Sequence, residues 1–171
     1  MDLRPAQPSD LPDIARLHEA NWRRDYADFL PAVALGAALH ADMAGVWGAD
    51  ALNARRVFVA RQGDALLGFA ATLGEDPQGG TFLDSMHVAP SARAQGIGRA
   101  LMSAVAVLAV PGPLSLEVLC ANTDARRIYR RWGGQEGAEF DDEILGYIVP
   151  AVTVRWDDTV RLVDRLSGCA P

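Results

Sequence analysis

The chain has no lysine: all 16 basic residues among its 171 are arginine, which with so much alanine reflects genome composition more than mechanism. Cysteine is nearly absent. Cys120 and Cys169 form no motif, so neither a disulfide framework nor a cysteine metal cluster is expected, and a reducing compartment is the natural setting. No Cys or second His stands at metal-ligand spacing from His18, so no metal is expected. No apolar run approaches the ~18 residues that span a bilayer. Met1 to Pro5 lacks the apolar core of a secretory leader, so a cytoplasmic protein without membrane contact is expected. Positive charge is not in excess either. The net charge of −6 argues against a nucleic-acid binder held by general electrostatics and mildly favours a basic partner.

Half of the residues are apolar and 22% are charged, which is a globular composition. With no repeat, low-complexity tract or linker, residues 1–171 are expected to form one domain. Leu3 to Ala6 reads as a strand. Ser9 and Asp10 supply N-cap chemistry for a helix to about Arg24, with His18 on its surface or half-buried. Between Tyr26 and Asn53 the pattern is broken by Pro31 and Gly36; Ala37–Met43 and Val46–Leu52 are candidate helices. Val57–Arg61 and Ala65–Leu73 form a hairpin across Gln62-Gly63-Asp64, followed by a loop from Glu75 to Gly80. A strand Thr81–Val88, a helix Gly98–Val110 and a strand Leu114–Cys120 follow, the two strands parallel across the helical crossover. A helix Ala125–Trp132 comes next. Gln135–Phe140 and Val152–Trp156 then close the sheet as an antiparallel pair, with a long loop or irregular strand between them, and a helix Thr159–Leu166 ends the pattern.

The organising stretch is Val88-Ala89-Pro90-Ser91-Ala92-Arg93-Ala94-Gln95-Gly96-Ile97-Gly98-Arg99-Ala100-Leu101. A strand that ends in a Gly-bearing turn and feeds a helix presents unpaired N–H groups and the positive end of a dipole, an anion site. Gly96 and Gly98 allow close backbone approach, and Arg93 and Arg99 add charge. The other reading is an ordinary strand–turn–helix joint whose glycines serve only the turn.

The spacing Arg-x-x-Gly-x-Gly over Arg93–Gly98 resembles the acyl-CoA pyrophosphate loop of the GCN5-related N-acetyltransferases (GNAT). Asn122-Thr123-Asp124-Ala125-Arg126-Arg127-Ile128-Tyr129-Arg130-Arg131-Trp132-Gly133 is similar to that family's Asn-x-x-Ala-x-x-x-Tyr-x-x-x-Gly segment, in the family's order. The resemblance covers Phe58 to Gly133; one departure is Gly134, where the family usually has Phe. It implies a mixed α/β fold: a mainly antiparallel sheet of about seven strands, a splayed parallel pair in its middle, and helices on both faces. It also implies an acetyl-CoA-dependent N-acetyltransferase in which the amine attacks the thioester directly.

In that family pantetheine pairs with the backbone of the first splayed strand, here Met86, His87 and Val88. The pyrophosphate rests on the loop, here Arg93, Ala94, Gln95, Gly96, Ile97, Gly98, Arg99 and Ala100. Asn122 and Arg126 complete the expected coenzyme contacts. Tyr129 corresponds to the acid that protonates the leaving thiolate. Asp84, where some family members carry a catalytic group, is the candidate base; strict alternation puts it on one face with Met86 and Val88, which a bulge would reverse. His87 falls on the opposite face, and Glu75 and Glu117 are further relay candidates. Trp22, Tyr26, Phe29 and Trp47 are either core or the wall of an acceptor pocket. The acceptor is an amine on a small molecule or a protein, and the chain is a monomer or homodimer. A catalytically silent acyl-CoA binder is the alternative. The arginines of the 126–131 helix read as a solvated face rather than a nucleic-acid surface.

Overall fold

In the computed structural model, which describes residues 1–75 and 79–168, the chain builds one seven-stranded sheet. In chain order the elements are β1 (Asp2–Pro5), α1 (Leu11–Asp25), α2 (Leu39–Val46), α3 (Ala51–Ala54), β2 (Arg56–Gln62), β3 (Ala65–Glu75), β4 (Thr81–Val88), α4 (Ile97–Ala109), β5 (Leu114–Leu119), α5 (Thr123–Arg131), β6 (Gln135–Ile144), β7 (Tyr147–Trp156) and α6 (Thr159–Ser167). The strand order is β1-β2-β3-β4-β5-β7-β6. All neighbours are antiparallel except β4 and β5.

Each face of the sheet carries its own core. Ala70, Leu83, Leu116 and Val154 pack against the buried stripe of α4 (Leu101, Met102, Val105) and Leu162 and Leu166 of α6. Val57, Val59, Phe69 and Ala151 pack against Ile14 of α1 and Leu39 and Met43 of α2. These are the period-2 and period-3.6 patterns of the sequence, with helices on both sides.

Three expectations need correction. Asp10 does not cap α1 with its side chain; its buried carboxylate accepts from Arg4 and Arg61 instead. His18 is buried, not on the surface. Val46–Leu52 is mostly turn, and the short helix there is α3. For the segment between the closing strands, the strand reading holds over the loop: residues 141–150 extend β6 and β7 into a hairpin that turns at Leu145 and Gly146, both with positive φ.

Gly134 has a packing reason. A Cβ there would stand 2.5 Å from Val154 Cγ1 and 2.7 Å from Trp156 Cζ2. The space is already filled by β7.

Candidate active site

β4 and β5 pair only at Thr81–Leu114 and Phe82–Ser115, then separate. Ala89 N–H donates to Leu67 O at 2.8 Å. In an antiparallel ladder alternate residues turn both backbone groups to the same side. His87 and Ala89 therefore face β3, while Met86 and Val88 face the gap. This corrects the expectation for His87, whose backbone belongs to the β3 ladder. The Val88 carbonyl accepts from Asn21 Nδ2 at 3.1 Å, so Met86 and the Val88 N–H form the open edge.

The gap opens into a cleft of about 1000 Å³. On one side lie the loop and the first turn of α4. Gly96 is the N-cap residue with φ +80°, a conformation that suits glycine, and it offers no side-chain cap to the amides that follow. A Cβ at Gly98 would meet only Val88 Cγ2, at 3.7 Å. Nothing in the protein's own packing demands a glycine there, and the hydrogen leaves the turn open toward the cleft. The helix dipole of α4 aims its positive end at the same place.

The two loop arginines differ. Arg93 is half-exposed and pairs with Asp25 at 2.9 Å, lying across the cleft mouth from the loop to the end of α1. Arg99 turns its Nε to the Leu166 carbonyl at the end of α6. Gln95 bonds back to Ser91 O at 2.9 Å. Arg126 is held by Glu136 and by the Cys120 carbonyl and is not among the cleft-lining residues, so its guanidinium is committed to the fold. Asn122 lines the cleft and caps α5, its Oδ1 accepting from Ala125 N–H at 3.2 Å.

Tyr129 is buried on α5 and lines the cleft, edge-on to Trp156 with ring centroids 5.9 Å apart. Burial pushes its phenol above the ordinary value, with Tyr26 adding to the shift. The Tyr26 phenol is itself pushed up to about 12 by burial and then by Asp25. Both phenols hold their protons at neutral pH.

Asp84 sits where the β3–β4 register slips: Ala71 pairs with Ser85, Thr72 with Leu83, and Asp84 is the extra residue. The bulge reverses the expected parity. The Asp84 carboxylate accepts from Arg55 Nε at 3.3 Å and Ser85 Oγ at 3.1 Å. The Arg55 guanidinium lies over the Trp47 ring, on the α1–α2 face that His87 shares and Met86 and Val88 do not. Glu117 also lines the cleft, while the side chain of Glu75 and all of Cys169 lie outside the described residues.

Trp22, Tyr26 and Phe29 line the α1 side of the cleft, with Trp22 and Tyr26 T-stacked at 4.9 Å. Trp47 is core, its Nε1 donating to His18 Nδ1 at 2.9 Å. The sequence reading missed Asn21 and Arg55; a lone Asn inside a helix and an Arg before a strand give no periodic signal. Among the described residues no group of three His, Cys, Asp or Glu stands ready for a metal, and no helix is long and apolar enough to cross a membrane.

A family model described as "Acetyltransferase (GNAT) domain" matches residues 53–133, from just before β2 through α5 and the glycine that ends it. The chain carries a GNAT acetyltransferase domain. A comparison with curated proteins found no match. Among solved structures, a GCN5-related N-acetyltransferase from Rhodopseudomonas palustris is 20% identical, with a TM-score of 0.72 over 91% of this chain and 94% of that one. The ribosomal-protein-alanine N-acetyltransferase from Brucella melitensis is 18% identical (TM-score 0.68; 92% and 99% covered). The yncA protein of Salmonella typhimurium, solved with its cofactor acetyl-CoA, is 16% identical (TM-score 0.64; 92% and 93% covered). At these identities the structures speak for the GNAT fold alone.

Proposed function

We propose that residues 1–171 act as a single N-acetyltransferase domain that moves the acetyl group of acetyl-CoA to an amine by direct attack. One observation carries this reading: the unpaired edge of β4 leads straight to the uncapped first turn of α4, with a proton-holding Tyr129 in the same cleft.

The residues present suit acetyl-CoA. Met86 and the Val88 N–H supply the edge for a pantetheine arm. Loop residues Ala94 to Ala100 supply backbone donors for the diphosphate, with Arg93 as a counter-charge, each charge–dipole contact adding about 0.3–1 kcal/mol. Asn122 borders the arm. Arg99 and Arg126 take supporting parts, holding α6 and β6 against the site. The coenzyme supplies an activated acyl group on a thiol leaving group.

Tyr129 Oη holds a proton for that thiol's sulfur. Burial raises the phenol, and it raises a thiol in the same cleft as well, so the match between donor and acceptor survives desolvation. Asp84 is positioned as a proton acceptor on the acceptor side, its carboxylate oriented by the hydrogen bonds from Arg55 Nε and Ser85 Oγ. An amine with pKa about 10.4 is neutral in only about one molecule in a thousand at pH 7, so such an acceptor matters. The acceptor enters on the α1 side, against Trp22, Tyr26 and Phe29.

Thiol release from acetyl-CoA, followed with a panel of amines, tests the reading. Amine-dependent release that falls about 100-fold or more in Tyr129→Phe is expected. Release that persists in the variant removes Tyr129 from the acid role. Coenzyme binding by calorimetry without release for any amine favours a silent acyl-CoA binder.

A further inference from the structure

On the α1 side of the cleft, a chain of hydrogen bonds fixes which nitrogen of one imidazole bears the proton. Asn21 of α1 is buried, 1% exposed. Its Oδ1 accepts from Arg24 Nη2 at 3.0 Å, which makes Nδ2 the donor end of the amide, and Nδ2 donates to Val88 O at 3.1 Å. The same Nδ2 stands 3.5 Å from Nδ1 of His87. An amide nitrogen has no lone pair to offer, so Nδ1 accepts and the neutral ring carries its hydrogen on Nε2.

The rest of the surroundings keep that ring in place and uncharged. His18 lies against it with centroids 4.3 Å apart, and Phe69 lies 5.4 Å away. Burial, then Arg93 and Arg24, lowers the His87 pKa to about 3. Nε2 has no hydrogen-bond partner among the described residues, and His87 lines the cleft beside Trp22 and Tyr26. A neutral N–H donor therefore stands among the aromatic rings of this wall, where the other polar groups include Asn21, Asp25 and Asp84. A donor at this position rewards a ligand oxygen and penalises a ligand that leaves it unpaired.

We propose that His87 selects the acceptor: its Nε2–H donates to a carbonyl oxygen next to the amine, and Asn21 is the positioning residue that fixes this tautomer. The favoured acceptors are amines with an apolar body and a neighbouring amide, as at a peptide N-terminus, rather than simple alkylamines. The proposal rests on the acetyltransfer reading for the name "acceptor", but its test does not depend on turnover.

The experiment uses the full chain with ¹⁵N-labelled histidine, titrated with phenylalaninamide or phenethylamine, which differ only in the carboxamide. In the resting protein His87 shows hydrogen on Nε2 and none on Nδ1. Phenylalaninamide shifts the Nε2 signal and binds roughly tenfold or more tightly than phenethylamine. His87→Leu abolishes the preference, and His87→Gln, which retains an N–H donor, keeps part of it. Asn21→Asp, whose carboxylate accepts, moves the hydrogen to Nδ1 and weakens the amide; should that variant not fold, the Leu and Gln variants decide the matter. Hydrogen on Nδ1 in the resting protein, equal affinity for the two amines, or binding of neither overturns the proposal. Selective binding without thiol release from acetyl-CoA would instead leave it standing and remove the acetyltransfer reading.

Discussion

A Cβ added at Gly98 meets one methyl at ordinary contact distance, 3.7 Å, whereas one added at Gly134 runs into Val154 and Trp156 at 2.5 and 2.7 Å. Two glycines, one inside the loop segment and one just past the end of the second segment, thus have opposite reasons to be there. Gly98→Ala should leave the melting temperature unchanged or raise it, since alanine is the better helix residue by about 0.5–1 kcal/mol. It should weaken coenzyme binding about tenfold or more, measured by calorimetry. Gly134→Ala should lower stability by about 1–3 kcal/mol in chemical denaturation, because the β7 side chains it displaces are buried. The sequence marks both positions as glycine but cannot tell these roles apart. The pressure on Gly134 comes from Trp156, 22 residues along the chain and brought there only by the β6–β7 pairing.

Among the elements, those with one buried face were readable, and β4 and α4 fall within a residue of the pattern's limits. The base of the β6–β7 hairpin was readable as an antiparallel pair but its tip was not, because Asp141-Asp142-Glu143 lies on an edge strand whose inward positions are only half-buried and admit a polar residue such as Asp142. Nor was the bulge that turns Asp84 to the α1 face: alternation assumes an unbroken ladder. The buried side of α1 makes a testable statement. His18 is held neutral by burial, then by His87 and Arg55, with its pKa lowered to about 2, and His87 behaves alike. Free histidine titrates near 6.5, so below that pH the unfolded chain takes up protons that the folded chain refuses. Stability is then full above pH 6.5 and falls as the pH drops, by about 1.4 kcal/mol per unit for each histidine. Denaturant unfolding between pH 7 and 5 should show this slope, and His18→Gln should reduce it by about half. Asp10 acts lower down. Its carboxyl is held below the ordinary value by the hydrogen bond from Arg4, with Gln7 N–H and Arg61 adding to this, so its contribution is present above about pH 4 and lost as the pH falls further. Asp10→Asn should flatten the decline in that range.

At the scale of the molecule, the sheet is two half-sheets, β1 to β4 and β5-β7-β6, joined along two residue pairs. A ligand that pairs with the open edge of β4 stabilises the folded state by mass action, by about 2.7 kcal/mol at one hundred times its dissociation constant. Acetyl-CoA should therefore raise the unfolding midpoint and slow amide exchange at Met86 and Val88, while exchange at His87, already inside the β3 ladder, should change little. This architecture was legible in outline because the two signature segments bracket the gap. The width and lining of the gap were not, since they depend on α1 residues nearly seventy positions from β4.

The joint at Thr81–Leu114 and Phe82–Ser115 also makes the cleft a slot cut through a wall, not a pit sunk into it. Its lining takes in Gly98 and Arg99 from one face of the sheet and Trp22 and Phe29 from the other. A slot has two doors. A long thin molecule that threads it from the α4 side does not stand in the doorway on the α1 side, so traffic through one entrance need not wait for the other. Free coenzyme A should accordingly compete with acetyl-CoA in initial-rate measurements and leave the amine's entrance unblocked.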